Sequence, residues 1–184
     1  MTILTPEQAE VVELLRNAEI DTDDGMPEEL FLLLSSLIPI PNVDLLVVNR
    51  KNQLLLARRN DPYYEKNWHI PGGCMRFNES FEHRILETAR LELGTAVTFV
   101  KTPLAVRNVI RGPRDSLTHP RERGHNVAVL FRCFLPEGCE LQNGNRSEDD
   151  SGYLKWFDRL PEDFSVVQHV YDDILIPWRW EEPL

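Results

Sequence analysis

The residues best suited to chemistry lie in one stretch, WHIPGGCMRFNESFEHRILETARLELG, which runs from Trp68 to Gly94. Gly72 and Gly73 predict a tight turn where the backbone can approach a ligand closely, because glycine tolerates conformations that strain other residues. Glu92 follows near the end of a predicted helix. A carboxylate there opposes the helix dipole, so a bound divalent cation would relieve an unfavourable charge placement. This pattern is typical of a site that holds a metal ion against a diphosphate.

A helix from about Ser80 to Gly94 is predicted to position that carboxylate. Ser80 is a suitable N-cap, and Gly94 stands where a left-handed C-cap is expected. Apolar residues recur at every fourth position and predict one buried stripe, formed by Phe81, Ile85, Ala89 and Leu93. Glu92 lies in the last turn, off that stripe.

Four of these residues match the Nudix box, which reads glycine, five residues, glutamate, seven residues and then R-E-U-x-E-E-x-G-U, with U aliphatic. The matching positions are Gly73, Glu79, Glu92 and Gly94. The box departs from its usual form at Glu87-Thr88, which replaces Arg-Glu, and at Leu91, which replaces a glutamate. The chain therefore resembles the Nudix hydrolase superfamily with a degenerate box.

A box that keeps its final glutamate alone is similar to that of the GDP-mannose mannosyl hydrolase branch, and the resemblance extends upstream to about Leu37. It implies an α/β class of fold, a Nudix-like α/β/α sandwich with a mixed sheet, over residues 37–184. Residues 1–36 are expected to form an N-terminal helical extension. The implied activity is magnesium-dependent hydrolysis of a nucleoside diphosphate sugar, releasing nucleoside diphosphate and sugar.

Two other functions remain open. One is a Nudix diphosphatase that attacks phosphorus in a nucleotide diphosphate derivative. It is weakened because Thr88 and Leu91 stand where that chemistry usually has further metal ligands. The other is a non-catalytic Nudix-like module that binds a nucleotide.

The resemblance implies roles for individual residues. Glu92 and the carbonyl oxygen of Gly72 would hold Mg²⁺. Arg59 would bind the substrate and neutralise the leaving diphosphate, and Asp44 would position the substrate. Carboxylate and carbonyl oxygens with an arginine are also the groups that phosphate chemistry requires in general.

Two family features have no match in the chain. Cys74 occupies the place of an arginine that helps the nucleotide leave, and Arg76 is the nearest guanidinium that could bind substrate instead. The loop 149–151, where the branch has its catalytic histidine, contains no histidine. Asp149 and Asp150 are therefore the candidates of that loop for directing water, Asp150 is also the expected metal ligand, and His125 is a strand-borne alternative.

The sequence does not identify the partners of two carboxylates. Asp44 lies in an apolar strand, where a carboxylate is costly unless it is paired, so a functional role is expected. Glu79 in the family pairs with the box arginine, which here is Glu87. Arg84 and Arg90 are the alternatives for that pairing.

Composition bounds these interpretations. A chain of 184 residues with 42% hydrophobic content predicts one domain with a terminal extension. The formal charge of −10 argues against broad nucleic-acid binding. The chain also has a locally basic segment, which is expected to be a solvated loop, with contact to substrate phosphate as the alternative. Its residues are Arg107, Arg111, Arg114, Arg121 and Arg123.

The cellular setting is expected to be the cytoplasm. Three cysteines have neither metal-binding spacing nor the even count of a disulfide framework, and no leader or membrane-spanning stretch is predicted. A homodimer is possible through the apolar LFLLLSSLI segment. The same segment is equally suited to a core.

Periodicity predicts the remaining elements. Helices are expected at residues 6–18, 27–36 and 164–175, in addition to the box helix. Strands are expected at residues 43–48, 53–57, 96–101, 104–110, 126–134 and 153–157.

Overall fold

The computed structural model describes residues 3–18, 20, 26–61, 64–111 and 123–176. Its helices are α1 (Pro6–Asn17), α2 (Glu28–Ser35), α3 (Phe81–Thr88) and α4 (Asp172–Leu175). A turn of π-helix (Ala89–Leu93) continues α3, and a 3₁₀ helix (Val166–Tyr171) precedes α4. The strands are β1 (Ile40–Val47), β2 (Leu54–Asp61), β3 (Tyr64–His69), β4 (Gly72–Cys74), β5 (Thr98–Phe99), β6 (Ala105–Ile110), β7 (His125–Phe134) and β8 (Leu154–Phe157).

The larger of two sheets is mixed. Strand β1 pairs in parallel with β7 and antiparallel with the short β4, while β5 and β6 pair antiparallel with β7. The smaller sheet is antiparallel, in the order β3-β2-β8. The predicted α/β class with a mixed sheet is confirmed.

Strand β1 is buried on both faces and separates two hydrophobic cores. Val43 and Leu45 pack in one core with Ile85 of α3. Leu46 packs in the other core with Tyr171 from the C-terminal 3₁₀ helix. Because successive side chains of a strand point to opposite faces, this apolar run requires a helical layer on each side.

Several predicted elements are confirmed, and others differ. The strand predicted at 96–101 is reduced to Thr98–Phe99, and the closing helix begins as a 3₁₀ helix at Val166. The sequence interpretation missed β3 and β4, and the tight turn that it predicted at Gly72 and Gly73 is instead the extended strand β4. Strand β3 reads YEKNWH, with charged residues and no alternation, and β4 is only GGC, so neither carries the usual strand pattern.

The caps of the box helix are confirmed. The Ser80 hydroxyl accepts a hydrogen bond of 3.1 Å from the backbone N–H of His83. Gly94 has a φ of 67°, in the left-handed region that favours glycine. The sequence therefore places both ends of this element correctly.

The buried stripe of the helix is explained by its widened last turn. Ile85, Ala89 and Leu93 are buried as predicted, whereas Phe81 is 43% exposed, although its ring contacts Phe131. On an α-helix, a four-residue spacing drifts by about 40° at each step. The π turn holds more residues per turn and so compensates for that drift, which keeps Leu93 in the core.

The two N-terminal helices differ in how they contact the domain. Helix α1 begins with a capping box between Thr5 and Gln8 and buries none of its residues. Helix α2 buries Ser35, whose hydroxyl accepts a hydrogen bond of 2.8 Å from the backbone N–H of Arg123. Across the described ranges, the helices lack the length and apolar character needed to cross a membrane.

Candidate functional site

A pocket opens where the ends of β2 and β3 meet the π turn and the loop before β8. Its lining contains three arginines and two carboxylates, so its local charge is positive in a chain whose formal charge is −10. Such a pocket attracts anions despite the acidity of the whole protein. The lining residues are Arg58, Arg59, Asp61, His69, Leu91, Glu92, Arg146, Ser151 and Gly152.

Glu92 contributes its carboxylate to this pocket from the π turn. Burial raises the pKa of Glu92 above its usual value, and the charges of Arg59 and Arg146 only partly oppose that shift. The ionised carboxylate is thus incompletely compensated by the protein. A divalent cation beside it would supply the missing charge.

Arg59 reaches the same pocket from β2 and is held from two sides. Its Nε lies 3.3 Å from Oδ2 of Asp61, and its guanidinium lies 4.3 Å from the centre of the Tyr64 ring. The same ring contacts Arg111 at 4.4 Å and is 9% exposed. Tyr64 therefore orients arginines.

Asp44 lies behind the pocket and outside its lining. Its Oδ2 accepts a hydrogen bond of 2.8 Å from the Tyr171 hydroxyl, and its Oδ1 accepts one of 2.8 Å from Asn42 and a longer one of 3.5 Å from Gln168. Burial raises the pKa of Asp44 to about 6, although these bonds and the charge of Arg59 act in the other direction. The carboxylate is thus held by uncharged donors.

Gly72 pairs directly with Asp44, and glycine is required there. A Cβ at this position would lie 2.3 Å from Oδ1 of Asp44. The neighbouring pair is hydrogen-bonded, since the N–H of Leu45 donates to the carbonyl of Pro71 over 2.8 Å. Because hydrogen-bonded and open pairs alternate in an antiparallel ladder, the Gly72 carbonyl points away from β1.

The Gln168 side-chain amide, which contacts Asp44, also fixes the backbone just before Gly72. The N–H of Ile70 donates to Oε1 of Gln168 over 2.7 Å, and the Ile70 carbonyl accepts from Nε2 over 3.1 Å. The Gln168 side chain thus pairs with Ile70 as a strand residue would. The C-terminal 3₁₀ helix therefore fixes the chain just before Gly72.

Glu79 is buried at the start of α3 among donors and a cation. Its Oε2 accepts a 2.9 Å hydrogen bond from the backbone N–H of Arg76, and its Oε1 lies 2.9 Å from Nδ1 of His83 and 3.6 Å from Nε of Arg84. Burial acts to raise the pKa of Glu79, but these bonds and the Arg84 charge outweigh it, so the pKa is lowered.

Arg84 is therefore the partner of Glu79, which the sequence left open between two arginines. Arg84 also donates a 3.1 Å hydrogen bond to the carbonyl of Cys74, the last residue of β4. Arg90 instead pairs with Glu87 at 2.9 Å on the outer face of the helix.

The acidic loop presents a different set of residues from the one expected. Asp150 is exposed and lies outside the pocket lining, and its Oδ2 accepts hydrogen bonds of 2.7 Å and 2.8 Å from the N–H and hydroxyl of Ser147. These bonds lower the pKa of Asp150. Asp149 pairs with Lys66. In this structure both carboxylates cap or brace the loop.

Two pocket residues escaped the sequence interpretation. His69 is the last residue of β3 and lies just before Gly72. A polar residue between the apolar Trp68 and Ile70 was the one sequence feature that could have marked it as a site residue. Arg146 is the one basic residue of the acidic loop, and its Nη1 donates to the Gln142 carbonyl over 3.2 Å. Arg146 lies far in sequence from Arg59 and Glu92, which it joins in the pocket.

The other predicted residues lie elsewhere. Arg76 is exposed and outside the pocket lining, and His125 lies 3.5 Å from Asn108 at the start of β7. In the basic segment, Arg107 pairs with Asp173 at 2.6 Å. Arg123, like Arg111, contacts the Tyr64 ring, whereas the predicted phosphate contacts at positions 114 and 121 fall outside the described residues.

The donor set suits a magnesium ion that is shared with a ligand. In the part of the chain that is described, no group of three or more His, Cys, Asp or Glu side chains is arranged to hold a metal. Mg²⁺ usually binds through one or two protein carboxylates together with water and substrate phosphates. Glu92 lines the pocket and could supply such a carboxylate, whereas Gly72, the other predicted ligand, is not among the lining residues.

Comparisons with known proteins found similarity to solved structures and none to a family model. A NUDIX hydrolase from Nitrosomonas europaea gives a TM-score of 0.49 at 11% identity, covering 65% of this chain and 72% of that one. A MutT protein from Methanosarcina mazei Go1 gives 0.48 at 21% identity, covering 65% and 77%. A UDP-X diphosphatase gives 0.48 at 20% identity, covering 94% and 86%.

Proposed function

We propose that this protein is a magnesium-dependent Nudix hydrolase acting on a nucleoside diphosphate sugar, with the chemistry of a GDP-mannose mannosyl hydrolase. The observation that supports it is the presence of Arg59 and Glu92 in one positively charged pocket. These two residues are distant in sequence, and each was assigned to the diphosphate site from a separate part of the Nudix resemblance.

In this proposal, some residues bind the metal ion and another stabilises the charge on the leaving group. Glu92 and the Gly72 carbonyl would hold Mg²⁺, which when bound neutralises charge on the diphosphate. Arg59, oriented by Asp61 and Tyr64, stabilises the negative charge that develops on the leaving diphosphate. Asp44 lies outside the pocket lining, and its role in this proposal is to hold in place β4, the strand that carries Gly72.

A second function is ordinary attack at phosphorus. One observation favours it: the Asp150 carboxylate is engaged by Ser147, so the acidic loop does not present the base that attack at carbon needs. In that case the products would be a nucleoside monophosphate and a sugar phosphate.

The deciding experiment is product analysis in heavy-oxygen water with Mg²⁺ over a panel of nucleoside diphosphate sugars. Label in the free sugar supports the mannosyl-hydrolase chemistry, and label in phosphate moves the assignment to attack at phosphorus. No turnover of any member contradicts both hydrolase functions and favours a nucleotide-binding module.

Glu92→Gln is the variant that tests the site itself. We expect it to fold normally and to lose at least 100-fold in turnover, because the amide removes a charged metal ligand. Glu82→Gln is the matched control, since Glu82 is an exposed carboxylate at the other end of the same helix. Full activity of Glu92→Gln would exclude the proposed metal site.

A further inference from the structure

His69 is the one uncharged ring in a pocket lined mainly by ionic groups. It lies at the end of β3, and its residue is only 6% exposed. Arg59 and Glu92 line the same pocket. The imidazole is thus placed beside the groups assigned to the metal and the diphosphate.

The imidazole has an unfilled hydrogen-bonding position. Its Nδ1 is buried and has no hydrogen-bond partner within the described ranges of the chain. Buried polar atoms are nearly always paired, because an unpaired one retains the full cost of its desolvation. His69 lines the pocket, so a small rotation of its ring on ligand binding would let a ligand group there supply the partner.

The charge state of the ring limits what that partner can be. Burial and the nearby charge of Arg59 hold the pKa of His69 well below its usual value, although the backbone of Ala57 acts in the opposite direction. The ring is therefore neutral near pH 7, with one nitrogen that donates and one that accepts.

A neutral imidazole and the pocket arginines suit different parts of a ligand. Phosphate oxygens accept hydrogen bonds and carry negative charge, so they match the donors of Arg59 and Arg146. A hydroxyl both donates and accepts, so it can pair with either nitrogen of His69 in either tautomer. The polar match therefore favours a hydroxyl over a phosphate at this position.

We propose that His69 contacts the substrate directly and hydrogen-bonds a hydroxyl group on the sugar half of the ligand, so that it acts as a specificity-determining residue. This inference rests on the proposed function, because it assumes that the pocket binds a diphosphate with a hydroxyl-bearing group attached. It adds a recognition element that the Nudix box does not contain.

The test compares two ligands in titration calorimetry with Mg²⁺. One is GDP, and the other is a GDP-mannose analogue in which methylene groups replace the bridging oxygens, so that it is not turned over. We expect His69→Leu to bind the analogue about tenfold more weakly, the equivalent of one lost hydrogen bond, and to bind GDP within about twofold of the wild type. His69→Asn should retain part of the difference.

Leucine removes a nitrogen that has no partner but also the ring's hydrogen bond with the Ala57 backbone, so we expect the variant to fold with a small loss of stability. Thermal unfolding checks this point. His169→Leu is a matched control, since His169 is a half-exposed histidine outside the pocket lining. It should leave the affinities for both ligands unchanged.

The outcomes separate this inference from the proposed function. If His69→Leu weakens both ligands equally or neither of them, or if the wild type does not prefer the sugar-bearing ligand, the contact is excluded. If the preference exists and is lost in His69→Leu, the contact is supported whether or not the wild type hydrolyses GDP-mannose. The hydrolysis assay in heavy-oxygen water tests the proposed function by itself.

Discussion

Two carboxylates on either side of β4 in the sequence have side chains that are shielded from solvent, and they behave in opposite ways. Residue Asp44 is 3% exposed, whereas the Glu79 side chain is 4% exposed in a residue that is only partly buried as a whole. The pKa of Asp44 is raised to about 6, whereas the pKa of Glu79 is lowered.

The difference lies in the partners. Asp44 accepts hydrogen bonds from a hydroxyl and two amides, which carry no net charge and do not offset its desolvation. Glu79 accepts hydrogen bonds from a backbone N–H and from His83 and is paired with the Arg84 guanidinium. Burial alone therefore does not set the charge of a carboxylate in this protein, because the hydrogen bonds and positive charges around Glu79 outweigh its desolvation, whereas those around Asp44 do not.

The largest effect is expected from Glu79→Ala. The substitution would leave the buried Arg84 guanidinium without its carboxylate, and we expect it to lower the free energy of unfolding by about 3–5 kcal/mol. Urea denaturation at pH 7 measures the change. Glu87→Ala is the control, because its ion pair with Arg90 is on the outer face, and a similar loss there would show that burial of the Glu79 pair is irrelevant.

The next effect concerns pH and Asp44. The unfolded chain loses this proton near the ordinary aspartate pKa of 3.8 and the folded chain loses it at a pKa of about 6, so between these values the folded state binds more protons. Stability therefore falls as pH rises across this window, by up to about 3 kcal/mol, and is then constant. Asp44→Asn should abolish this fall.

The measurement for Asp44 is the wild-type minus variant difference in unfolding free energy, recorded from pH 4 to pH 7. Taking the difference removes the contribution of Glu79, whose lowered pKa makes stability fall in the other direction, towards acid. A difference that does not change with pH would mean that Asp44 is not destabilised in its charged form.

The smallest effect is expected from Tyr171→Phe, which removes the 2.8 Å hydrogen bond to Asp44. We expect a loss of about 1–3 kcal/mol at pH 7 and a smaller loss at pH 4.5, because the bond is stronger when its acceptor is charged. Tyr153→Phe serves as control, since no hydrogen bond of its hydroxyl is found among the described residues. Equal losses at both pH values would contradict a charged acceptor.

The sequence was most informative where the chemistry is local. The caps of α3 follow from residue type, and the spacing of its apolar residues correctly buries Leu93. Arg59 and Glu92, assigned through the Nudix resemblance, do line one pocket. Their assigned roles stay predictions.

Contacts between distant segments were beyond the sequence. Periodicity shows which face of an element is apolar, but it does not show which loop crosses above that face. Arg146 reaches the pocket on such a loop, and His69 does so from a strand without a clear pattern. Asp150 was chosen by its position in the loop, and its bonds to Ser147 could not be read from that position.

The π turn at Ala89–Leu93 makes this part of the chain sensitive to residue count. Deleting one residue there would let the helix return to ordinary α geometry and would leave the residues beyond the deletion on nearly the same faces, because the π turn holds one more residue than an α turn for almost the same rotation. Inserting one residue instead would rotate every residue beyond the insertion by about 100° around the axis. Single-residue insertions ahead of Glu92 in this turn should therefore be tolerated far less than single-residue deletions.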